Sequence, residues 1–499
     1  MILVFIFILI ASIFIPWLVI VILVVNTAIV AILSALQIFS ALFPRSGPNR
    51  RSMSSHAFVS ILIPAYNEPP ALLMHTLETL SCLKYENFEV LVIDNNTQDP
   101  AVWRPVEAFV RTLGEKFCFF HVDQLSGFKA GALNYILKFV NPKSIYVAVI
   151  DADYAVEPDF LSAALSYFTD KDIALVQFPQ EYRNYLKANR PIADEYRHFF
   201  KIYMNMANHL DCVPSTGTVS VYALSALRRI GGFSEKVLTE DADAGLRLYA
   251  AGYRGVYVDR SIGYGLMPYD IEAYRKQKTR WATGNAQSIR TLFNLYGKIP
   301  FRSWIGFLIH LTAWDHLNFL PFAVLAAYSL ILTPVIDIMA LHRGLLTLAS
   351  FSIFMTLISK FILFTITFRG QKKVLSRAFK AFIVHMGMTL PYSEALGALW
   401  HKTESIFERT NKFILAKKPS LIKNSYKELI LGAWFAIGTI EAMLWGTRLI
   451  TVVAFFISSL TLFSIYYVAW KIYPTKVYSK KLIAELEHKY RTYLPPQNS

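Results

Sequence analysis

The chain has 499 residues, of which 54% are hydrophobic and 17% are charged, and its mean hydropathy is +0.38. The length predicts two or more structural units, and the positive hydropathy excludes intrinsic disorder and argues against an ordinary soluble enzyme. Lys and Arg number 50 against 35 Asp and Glu, and this net charge of +15 suits either nucleic acid or a membrane. The three cysteines (Cys82, Cys118 and Cys212) are scattered and lack metal-ligand spacing, so neither a disulfide framework nor a zinc site is expected.

Residues 1–43 contain no charged residue. A secretory signal has a basic start and a shorter apolar core, so this run is expected to stay in the mature protein. A bilayer is spanned by about 20 residues, and the run is about twice as long. It therefore forms two helices that turn near Asn26, or one spanning helix that continues along the interface, with a bend at Pro16 in either case. Three arginines follow (Arg45, Arg50 and Arg51), and the positive-inside rule places them in the cytosol.

Residues 57–300 have the pattern of an α/β domain, because short β-branched runs alternate with helical stretches. This alternation predicts βαβ units and a mostly parallel sheet, which binds ligands beyond the C-terminal ends of its strands. We therefore expect a soluble α/β domain inserted between membrane segments. The predicted strands are Val59–Pro64, Phe88–Asp94, Ile145–Asp151, Ala174–Phe178 and Val256–Val258.

Residues 301–470 return to apolar runs, and four of them are near spanning length. Basic residues cluster after the second run, before the third and after the fourth, so about four spans place every cluster on the side of the α/β domain. Residues 378–400 then enter and leave on that side, as an interfacial or re-entrant helix that contains Pro391. Topology explains the positive charge, including the basic cytosolic tail at 471–499, and no nucleic-acid partner is expected. The four runs are Leu317–Ile336, Gly344–Phe368, Leu429–Trp445 and Leu449–Trp470.

Two predicted strands end in polar side chains. The stretch Ile61–Glu68 runs from a strand into a turn and presents Tyr66 and Glu68, and the next strand ends in Asp94. Asp94 could accept hydrogen bonds from a base or a ribose, or it could cap the turn that follows. Any strand–turn–helix unit can carry such residues, so each strand end alone is weak evidence of a site.

Two further stretches suit a diphosphate and a metal ion. Gly127–Asn134 has two glycines around Lys129, which lets the backbone approach a diphosphate that the lysine pairs with. Asp151 and Asp153 end a predicted strand, and two carboxylates at this spacing can hold a Mg²⁺ ion that also bridges phosphate oxygens. An Asp-Ala-Asp recurs at 241–243, and the position at a strand end favours the first pair.

The last motifs precede the second group of apolar runs. Thr239–Asp241 begins a predicted helix, in which Asp241 is either a cap or a general base that the helix dipole keeps ionised. Arg280 could stabilise a departing diphosphate and Trp281 could stack on a sugar ring. Both could equally be side chains of the membrane interface.

These motifs follow one another in a set order: Asp94, the Asp151/Asp153 pair, Thr239–Asp241 and Gln277–Trp281. The order closely resembles the membrane-integrated glycosyltransferase family 2 synthases, the group that contains cellulose and hyaluronan synthases. The resemblance implies a GT-A type nucleotide-sugar-binding α/β domain inserted between transmembrane helices, in a multi-pass protein of the plasma membrane with a cytosolic catalytic domain. It extends to Phe407–Lys412, which looks like the family's Phe-x-Arg-Thr-Pro-Lys with Asn411 in place of proline.

Other stretches are similar to the bacterial synthases of β-1,3- and β-1,3/1,6-glucans: Asn95–Pro105, Ser126–Asn134, Gln177–Arg183 and Gly265–Pro268. Pro214–Thr218 departs from the Phe-Phe-Cys-Gly-Ser stretch of cellulose synthases, which argues against a cellulose product. No domain for cyclic-dinucleotide control is expected after the last span.

The resemblance implies a role for each matching residue. Asp241 would deprotonate the acceptor hydroxyl, and the reaction would invert an α-linked donor to a β-linked product. Asp151 and Asp153 would hold the diphosphate through Mg²⁺ or Mn²⁺. The nucleotide-sugar site, with UDP-glucose as the favoured UDP-sugar, would comprise Tyr66, Glu68, Asp94, Lys129, Asp151, Gln277 and Arg280. The growing glycan acceptor would contact Trp281 and Glu240.

Polar residues inside apolar runs suggest a pathway for a glycan through the bilayer. Candidates are Lys360, Glu441 and the stretch Trp314–Asn318, although Lys360 could instead extend to the cytosolic side. Two other functions remain open: a non-processive glycosyltransferase that adds a sugar to a membrane lipid, and a transporter with a regulatory soluble domain. A cellulose or other β-glycan synthase is the remaining variant within the favoured class.

Overall fold

The computed structural model describes residues 2–45, 57–185, 187, 189–268, 270–313, 319–329, 340–399, 425–444, 446–472 and 478–494. It begins with two helices, α1 (Ile2–Phe14) and α2 (Pro16–Leu42). The break falls at Pro16, because proline has no amide proton with which to continue α1. Asn26 lies inside α2, so the expected turn near this residue is wrong. The chain then enters the α/β domain at Arg45, whose Nη1 is 2.7 Å from Asp211 Oδ1, while Arg50 and Arg51 lie outside the described residues.

The strands of the described residues form two sheets. They are β1 (Phe58–Ala65), β2 (Phe88–Asn95), β3 (Phe117–Val122), β4 (Ser144–Val149), β5 (Ala155–Val156), β6 (Ile173–Gln177), β7 (Glu181–Tyr182), β8 (Ser220–Ala223), β9 (Arg254–Tyr257) and β10 (Gly263–Gly265). The main sheet has seven strands in the order β3-β2-β1-β4-β8-β6-β9, and the small sheet has the order β5-β10-β7.

The main sheet confirms the expected α/β architecture. All five predicted strands form within it, and its pairings are parallel except for those of β8, which runs antiparallel to both β4 and β6. The register pairs Ala65 of β1 with Asp94 of β2. The polar residues that follow β1 and end β2 therefore lie at the same edge of the sheet.

The helices after α2 are α3 (Pro70–Ser81), α4 (Pro100–Thr112), α5 (Phe128–Ile136), α6 (Phe160–Leu165), α7 (Arg190–Phe199), α8 (Asn205–His209), α9 (Leu224–Arg229), α10 (Glu240–Ala250), α11 (Ile271–Asn294), α12 (Phe301–Leu311), α13 (Phe319–Ser329), α14 (Ala340–Thr367), α15 (Val374–Met386), α16 (Thr389–Ala395), α17 (Tyr426–Leu444), α18 (Leu449–Tyr467) and α19 (Tyr478–Lys489). A π-helical segment, Phe200–Met204, joins α7 to α8.

Helices cover both faces of the main sheet, because its strands are apolar on both sides. Ile61 and Ile63 of β1 pack with α3, α4 and α6 on one face, and Leu62 packs with α5 and α9 on the other. All three side chains are fully buried. This pattern is typical of a parallel sheet between helical layers, and it fixes the C-terminal edge as the open end where ligands bind.

Three helices of the described residues are long and apolar enough to cross a membrane: Pro16–Leu42, His342–Thr367 and Leu449–Lys471. Of the four predicted runs after residue 300, the second and fourth form such helices. The third forms α17, which carries Lys427, Glu428 and Glu441, and the first lies partly outside the described residues. The four-span topology stays a prediction.

Residues 374–399 form α15, α16 and a 3₁₀ turn at Leu396–Leu399, and Pro391 lies within α16. One side of α15 faces away from the protein, with Leu375 and Phe379 exposed, while Val384 and His385 on its other side are buried. This amphipathic arrangement suits the predicted interfacial helix.

The C-terminal helix α19 packs against the α/β domain. Leu486 and Tyr490 belong to the apolar core that includes β1 and α3. Lys489 Nζ and the Tyr490 hydroxyl donate hydrogen bonds of 2.5 and 2.6 Å to Glu78 Oε2 on α3. The predicted basic tail therefore includes a helix that is docked on the domain.

Candidate active site

A cavity of about 290 Å³ opens at the C-terminal ends of β1, β2 and β4, the edge where open α/β sheets bind ligands. Its other walls come from α5, α10, α11 and the loop before β8, which contributes Thr216 and Gly217. Ten predicted site residues line it: Tyr66, Glu68, Lys129, Asp151, Asp153, Glu240, Asp241, Gln277, Arg280 and Trp281.

Lys129 joins three walls of the cavity. Its Nζ donates to Asp151 Oδ1 at 2.5 Å and to the Gly217 carbonyl at 2.8 Å, and it lies 4.0 Å from Glu240 Oε1. Burial alone would lower the pKa of Lys129, but Asp151 and Glu240 outweigh burial and raise this pKa. The ammonium therefore stays charged and is positioned to pair with a phosphate.

Asp151 and Asp153 differ in how they are held. The Asp151 side chain is 33% exposed and faces the cavity, whereas Asp153 is buried and its Oδ2 accepts a 2.8 Å hydrogen bond from the Leu266 amide. No group of three or more His, Cys, Asp or Glu residues gathers for a metal ion within the described ranges. The two carboxylates fit a hard cation that takes its remaining ligands from a substrate diphosphate, as Mg²⁺ often does.

Asp241 lies in the first turn of α10, whose start is packed tightly against α11. A Cβ placed on Gly284 of α11 would lie 2.5 Å from Thr239 Cγ2, so only glycine fits there. Gly217, with φ +82°, brings its backbone close to Asp241, and a Cβ there would lie 2.7 Å from Asp241 Oδ2. Two close approaches thus fix the position of the Asp241 carboxylate against the Gly217 loop.

Burial, followed by the neighbouring Glu240 carboxylate, raises the pKa of Asp241 to about 7, and Lys129 opposes this shift. Asp241 Oδ1 accepts the Ala242 amide at 2.8 Å, and Thr239 precedes the helix as its N-cap residue. Burial thus opposes the helix dipole, which favours the ionised carboxylate, and the choice between a cap and a general base stays a prediction. A carboxylate with a pKa near neutrality is well suited to accept a proton from a hydroxyl group.

Helix α11 presents Gln277, Arg280 and Trp281 to the cavity. Gln277 Oε1 accepts a short hydrogen bond from the Tyr196 hydroxyl, and the Tyr196 and Trp281 rings lie 5.8 Å apart at 71°. Burial lowers the pKa of Arg280, while Glu240, Asp151 and Asp241 oppose this shift. The cavity therefore combines a guanidinium, an aromatic face and carboxylates.

Asp94 is the one predicted site residue that does not line the cavity. It is 3% exposed, its Oδ2 accepts the Thr97 hydroxyl at 2.8 Å, and its Oδ1 lies 3.0 Å from His121 Nδ1. Burial raises its pKa, and Thr97 and His121 oppose the rise. Its neighbours Asn95 and Asn96 do line the cavity, so Asp94 lies directly behind the wall at this strand end.

Two family profiles match this chain. The profile described as "Glycosyl transferase family 2" matches residues 60–231, and that described as "Glycosyl transferase family group 2" matches residues 146–390. Residues 60–390 are therefore similar to glycosyltransferase family 2. The two matches contain every predicted site residue.

Relatives of this region include a plant enzyme and a bacterial enzyme. A probable glucomannan 4-beta-mannosyltransferase of Arabidopsis thaliana is 28% identical over 48% of this chain and 44% of its own length. The cellulose synthase catalytic subunit of Pseudomonas fluorescens is 27% identical over 48% of this chain and 32% of its own length. The aligned region thus spans less than half of either relative. Among solved structures, a Pyrobaculum calidifontis mannosyltransferase in complex with GDP-mannose and Mn²⁺ aligns with 67% of this chain at 19% identity and a TM-score of 0.45.

Several residues that line the cavity are absent from the set predicted from the sequence. Thr216 and Gly217 come from the loop that the sequence marked only as a departure from cellulose synthases. Gln180 and Tyr182 come from the stretch marked only for its similarity to glucan synthases. Tyr196 supports the site from α7, and no sequence signal pointed to it, because its role depends on a tertiary contact with α11.

The polar residues proposed for a glycan pathway fall in different places. Lys360 on α14 has its Nζ 3.4 Å from His385 Nε2. Glu441 lies on α17, and its Oε2 is buried without a hydrogen-bond partner in the part of the chain that the structure describes. Trp314–Asn318 and Phe407–Lys412 lie outside the described residues.

Proposed function

We propose that this protein is an inverting glycosyltransferase that transfers a sugar from a nucleoside diphosphate donor to the end of a growing β-glycan. One observation carries the proposal: a single cavity joins Lys129 and Asp151, Asp241, and the Arg280–Trp281 pair from separate elements of a family 2 domain. These groups match the three needs of the reaction, which are binding of a diphosphate, deprotonation of a hydroxyl and support of an acceptor sugar.

The donor diphosphate would lie between Lys129, Arg280 and Asp151. Lys129 and Arg280 supply positive charge to the leaving group, while Tyr66 and Glu68, which follow β1 and line the cavity, hold the nucleoside side. Asp94 at the end of β2 supports this wall from behind, because it accepts a hydrogen bond from Thr97, which in turn accepts one from the Asn67 amide. A Mg²⁺ or Mn²⁺ ion held by Asp151 and Asp153 would neutralise the charge that develops on the diphosphate.

Asp241 acts as the general base. Its carboxylate accepts the proton of the acceptor hydroxyl as that oxygen forms a bond to the anomeric carbon, while the bond from this carbon to the diphosphate breaks. Attack from the side opposite the leaving group converts an α-linked donor to a β-linked product. The raised pKa of Asp241 suits this role, because a base is most effective when its pKa is close to the working pH.

Trp281 supports the acceptor sugar by stacking, with Glu240 beside it at the start of α10. For the product we favour a β-1,3-linked glucan made from UDP-glucose. This preference is supported by the four stretches similar to bacterial β-1,3- and β-1,3/1,6-glucan synthases and by the departure at Pro214–Thr218. The relatives described above are named for cellulose and glucomannan synthesis, so linkage and donor are the points that need an experiment.

We place the protein in the plasma membrane, with α2, α14 and α18 among the helices that cross the bilayer and the catalytic domain in the cytosol. A second cavity, of about 60 Å³, lies between α2, α12 and α14, and Gln37, Thr356 and Lys360 are among its polar lining residues. Polar groups inside apolar helices are costly unless they serve a pathway. This cavity supports translocation of the glycan across the membrane.

The test uses the purified full chain in lipid nanodiscs with a panel of radiolabelled nucleotide sugars. We expect an oligosaccharide ladder or an insoluble polymer from UDP-glucose that a β-1,3-glucanase digests. A single glycolipid product would show that the protein glycosylates a lipid and does not polymerise a glycan. A polymer that resists the β-1,3-glucanase would overturn the proposed β-1,3 linkage and leave the proposed reaction class intact. Release of no nucleotide from any donor in the panel would refute the proposed function.

A further inference from the structure

Lys278 lies inside the Gln277–Trp281 stretch, but it points away from the cavity and is fully buried. Its Nζ is 2.7 Å from Glu195 Oε2. The same nitrogen lies over three aromatic rings, 4.1 Å from the centroid of Tyr196, 5.4 Å from Trp281 and 5.8 Å from Tyr274. Lys278 thus combines a buried ion pair with a cage of aromatic rings.

The contacts cross-link α7 to α11 through two pairs of adjacent residues. Glu195 of α7 pairs with Lys278 of α11, and the next residue of α7, Tyr196, donates its hydroxyl proton to Gln277. The Tyr196 ring also lies against Trp281, edge to face. A shift of α7 along α11 would therefore break both polar contacts and move Gln277 and Trp281 together.

Glu195 is held from three sides, so the pair is fixed. Besides the contact with Lys278, Glu195 Oε2 accepts a 3.0 Å hydrogen bond from the Tyr274 hydroxyl, and Glu195 Oε1 lies 3.2 Å from His385 Nδ1 on α15. Burial alone would raise the pKa of Glu195, but Lys278 and His385 outweigh burial and lower this pKa to about 2. Glu195 therefore stays ionised at any physiological pH. Burial lowers the pKa of Lys278, and Glu195 opposes this shift.

We propose that Lys278, held by Glu195, is a positioning residue that fixes the Trp281 ring in the orientation needed to stack on the acceptor sugar. The inference rests on the proposed function, because it assumes that a glycan end binds at Trp281. An indole ring can support a pyranose only if its plane is fixed. The ammonium and the Tyr196 ring fix this plane from the side opposite the cavity, since both contact Trp281 from within the protein.

The first test replaces Lys278 with methionine, which keeps most of the side-chain volume and removes the charge. We expect the KM for an oligosaccharide acceptor to rise about tenfold, because a small misplacement of a substrate-orienting group is costly. The KM for the donor should rise less, by about twofold, because Arg280 shares α11 with Lys278 but Lys129 and Asp151 hold the diphosphate from other elements. Lys298→Met is the matched control, since Lys298 is exposed just after α11, and it should leave both constants unchanged.

Lys278→Met alone leaves the Glu195 charge buried without its ammonium partner, and this variant could fail to fold. The double variant Glu195→Gln/Lys278→Met removes both charges and keeps an acceptor for the Tyr274 hydroxyl. We expect this variant to unfold near the wild-type temperature and to show the same rise in acceptor KM.

The outcomes separate the inference from the proposed function. If the wild type extends an oligosaccharide and the folded double variant has an unchanged acceptor KM, the inference is overturned and the proposed function stands. An equal rise in donor and acceptor KM would also overturn it, because this result indicates a general structural role. If the wild type neither extends nor binds an oligosaccharide in calorimetry, the proposed function fails and the inference fails with it.

Discussion

Two groups of charged residues meet at α11, and they have opposite designs. The cavity group contains Asp151, Glu240 and Asp241 with Lys129 and Arg280, in a space open to solvent. The seam group contains one carboxylate and one ammonium, Glu195 and Lys278, sealed at the contact with α7. The Asp151 side chain is 33% exposed, and those of Glu195 and Lys278 are 2% and 0% exposed.

The difference shows what each group is for. In the cavity group carboxylates outnumber the cations, and burial together with the neighbouring Glu240 carboxylate raises the pKa of Asp241 to about 7. In the seam, charges are balanced, and Glu195 has its pKa lowered to about 2. An excess of negative charge is tolerated where a cation and a substrate are to bind, whereas a buried pair must be neutral by itself.

The largest expected effect comes from disturbing the cation balance of the cavity group. Chelation of divalent cations should abolish transfer, and Mg²⁺ or Mn²⁺ should restore it, because two carboxylates and a diphosphate repel one another without a cation. Asp151→Asn should lose donor binding as well as transfer, measured by calorimetry with the nucleotide sugar. Asp170→Asn, on an exposed loop at the opposite edge of the sheet, is the control and should behave as wild type. Full activity in excess chelator would exclude the role given to Asp151 and Asp153.

Asp241→Asn tests the base separately from the binding of the donor. Asn has nearly the same shape and can still accept the Ala242 amide, but it cannot take up the proton of the acceptor. We expect turnover to fall about 10²–10⁴-fold with donor affinity close to wild type. If Asp241 only stabilises α10, the variant will instead unfold at a lower temperature and turn over within a few-fold of wild type, and the mechanism proposed above will be wrong.

The pH dependence of turnover should distinguish the two groups without any mutation. Asp241 must be ionised to accept a proton, so kcat/KM should fall about tenfold for each pH unit below its pKa of about 7 and level off above it. Acceptor KM should show no step at the pKa of Asp241, because the Glu195 carboxyl of the seam group stays ionised over the same range. Initial rates measured between about pH 5 and 9 at several acceptor concentrations give both kcat/KM and the acceptor KM. A flat kcat/KM profile across neutrality would contradict the pKa assigned to Asp241.

The smallest expected effect comes from the glycine that holds α10 against α11. Alanine in a helix is normally favoured over glycine by about 1 kcal/mol, but a Cβ at Gly284 would overlap Thr239. Gly284→Ala should therefore lower the free energy of unfolding by about 1–3 kcal/mol and reduce turnover several-fold. Gly344→Ala is the matched control, because nothing lies within 4 Å of the Cβ position at this helical glycine. Equal melting temperatures for the two variants would show that α10 can move away from the added methyl group at no cost in stability.

The strands and the site residues at their ends could be predicted from the sequence, because both depend on local sequence patterns. The β-branched runs located β1, β2, β4, β6 and β9, and strand-end residues such as Asp151 lie in the cavity because parallel strands end at one edge. The antiparallel β8 and the support from Tyr196 could not be predicted, since both depend on contacts between distant parts of the chain. Nothing in the sequence singles out Lys278 between Gln277 and Arg280, and only its burial in the helix contact distinguishes it from an exposed lysine.

The docked helix α19 has a consequence for how the protein is made. Leu486 and Tyr490 complete the apolar core around β1 and α3, yet the ribosome adds them after α14 and α18. A nascent chain therefore carries an unfinished catalytic core while its apolar helices enter the bilayer. The core of the α/β domain closes only when translation has passed both apolar helices, so with α14 and α18 in the bilayer, as proposed above, we expect this core to close after their insertion.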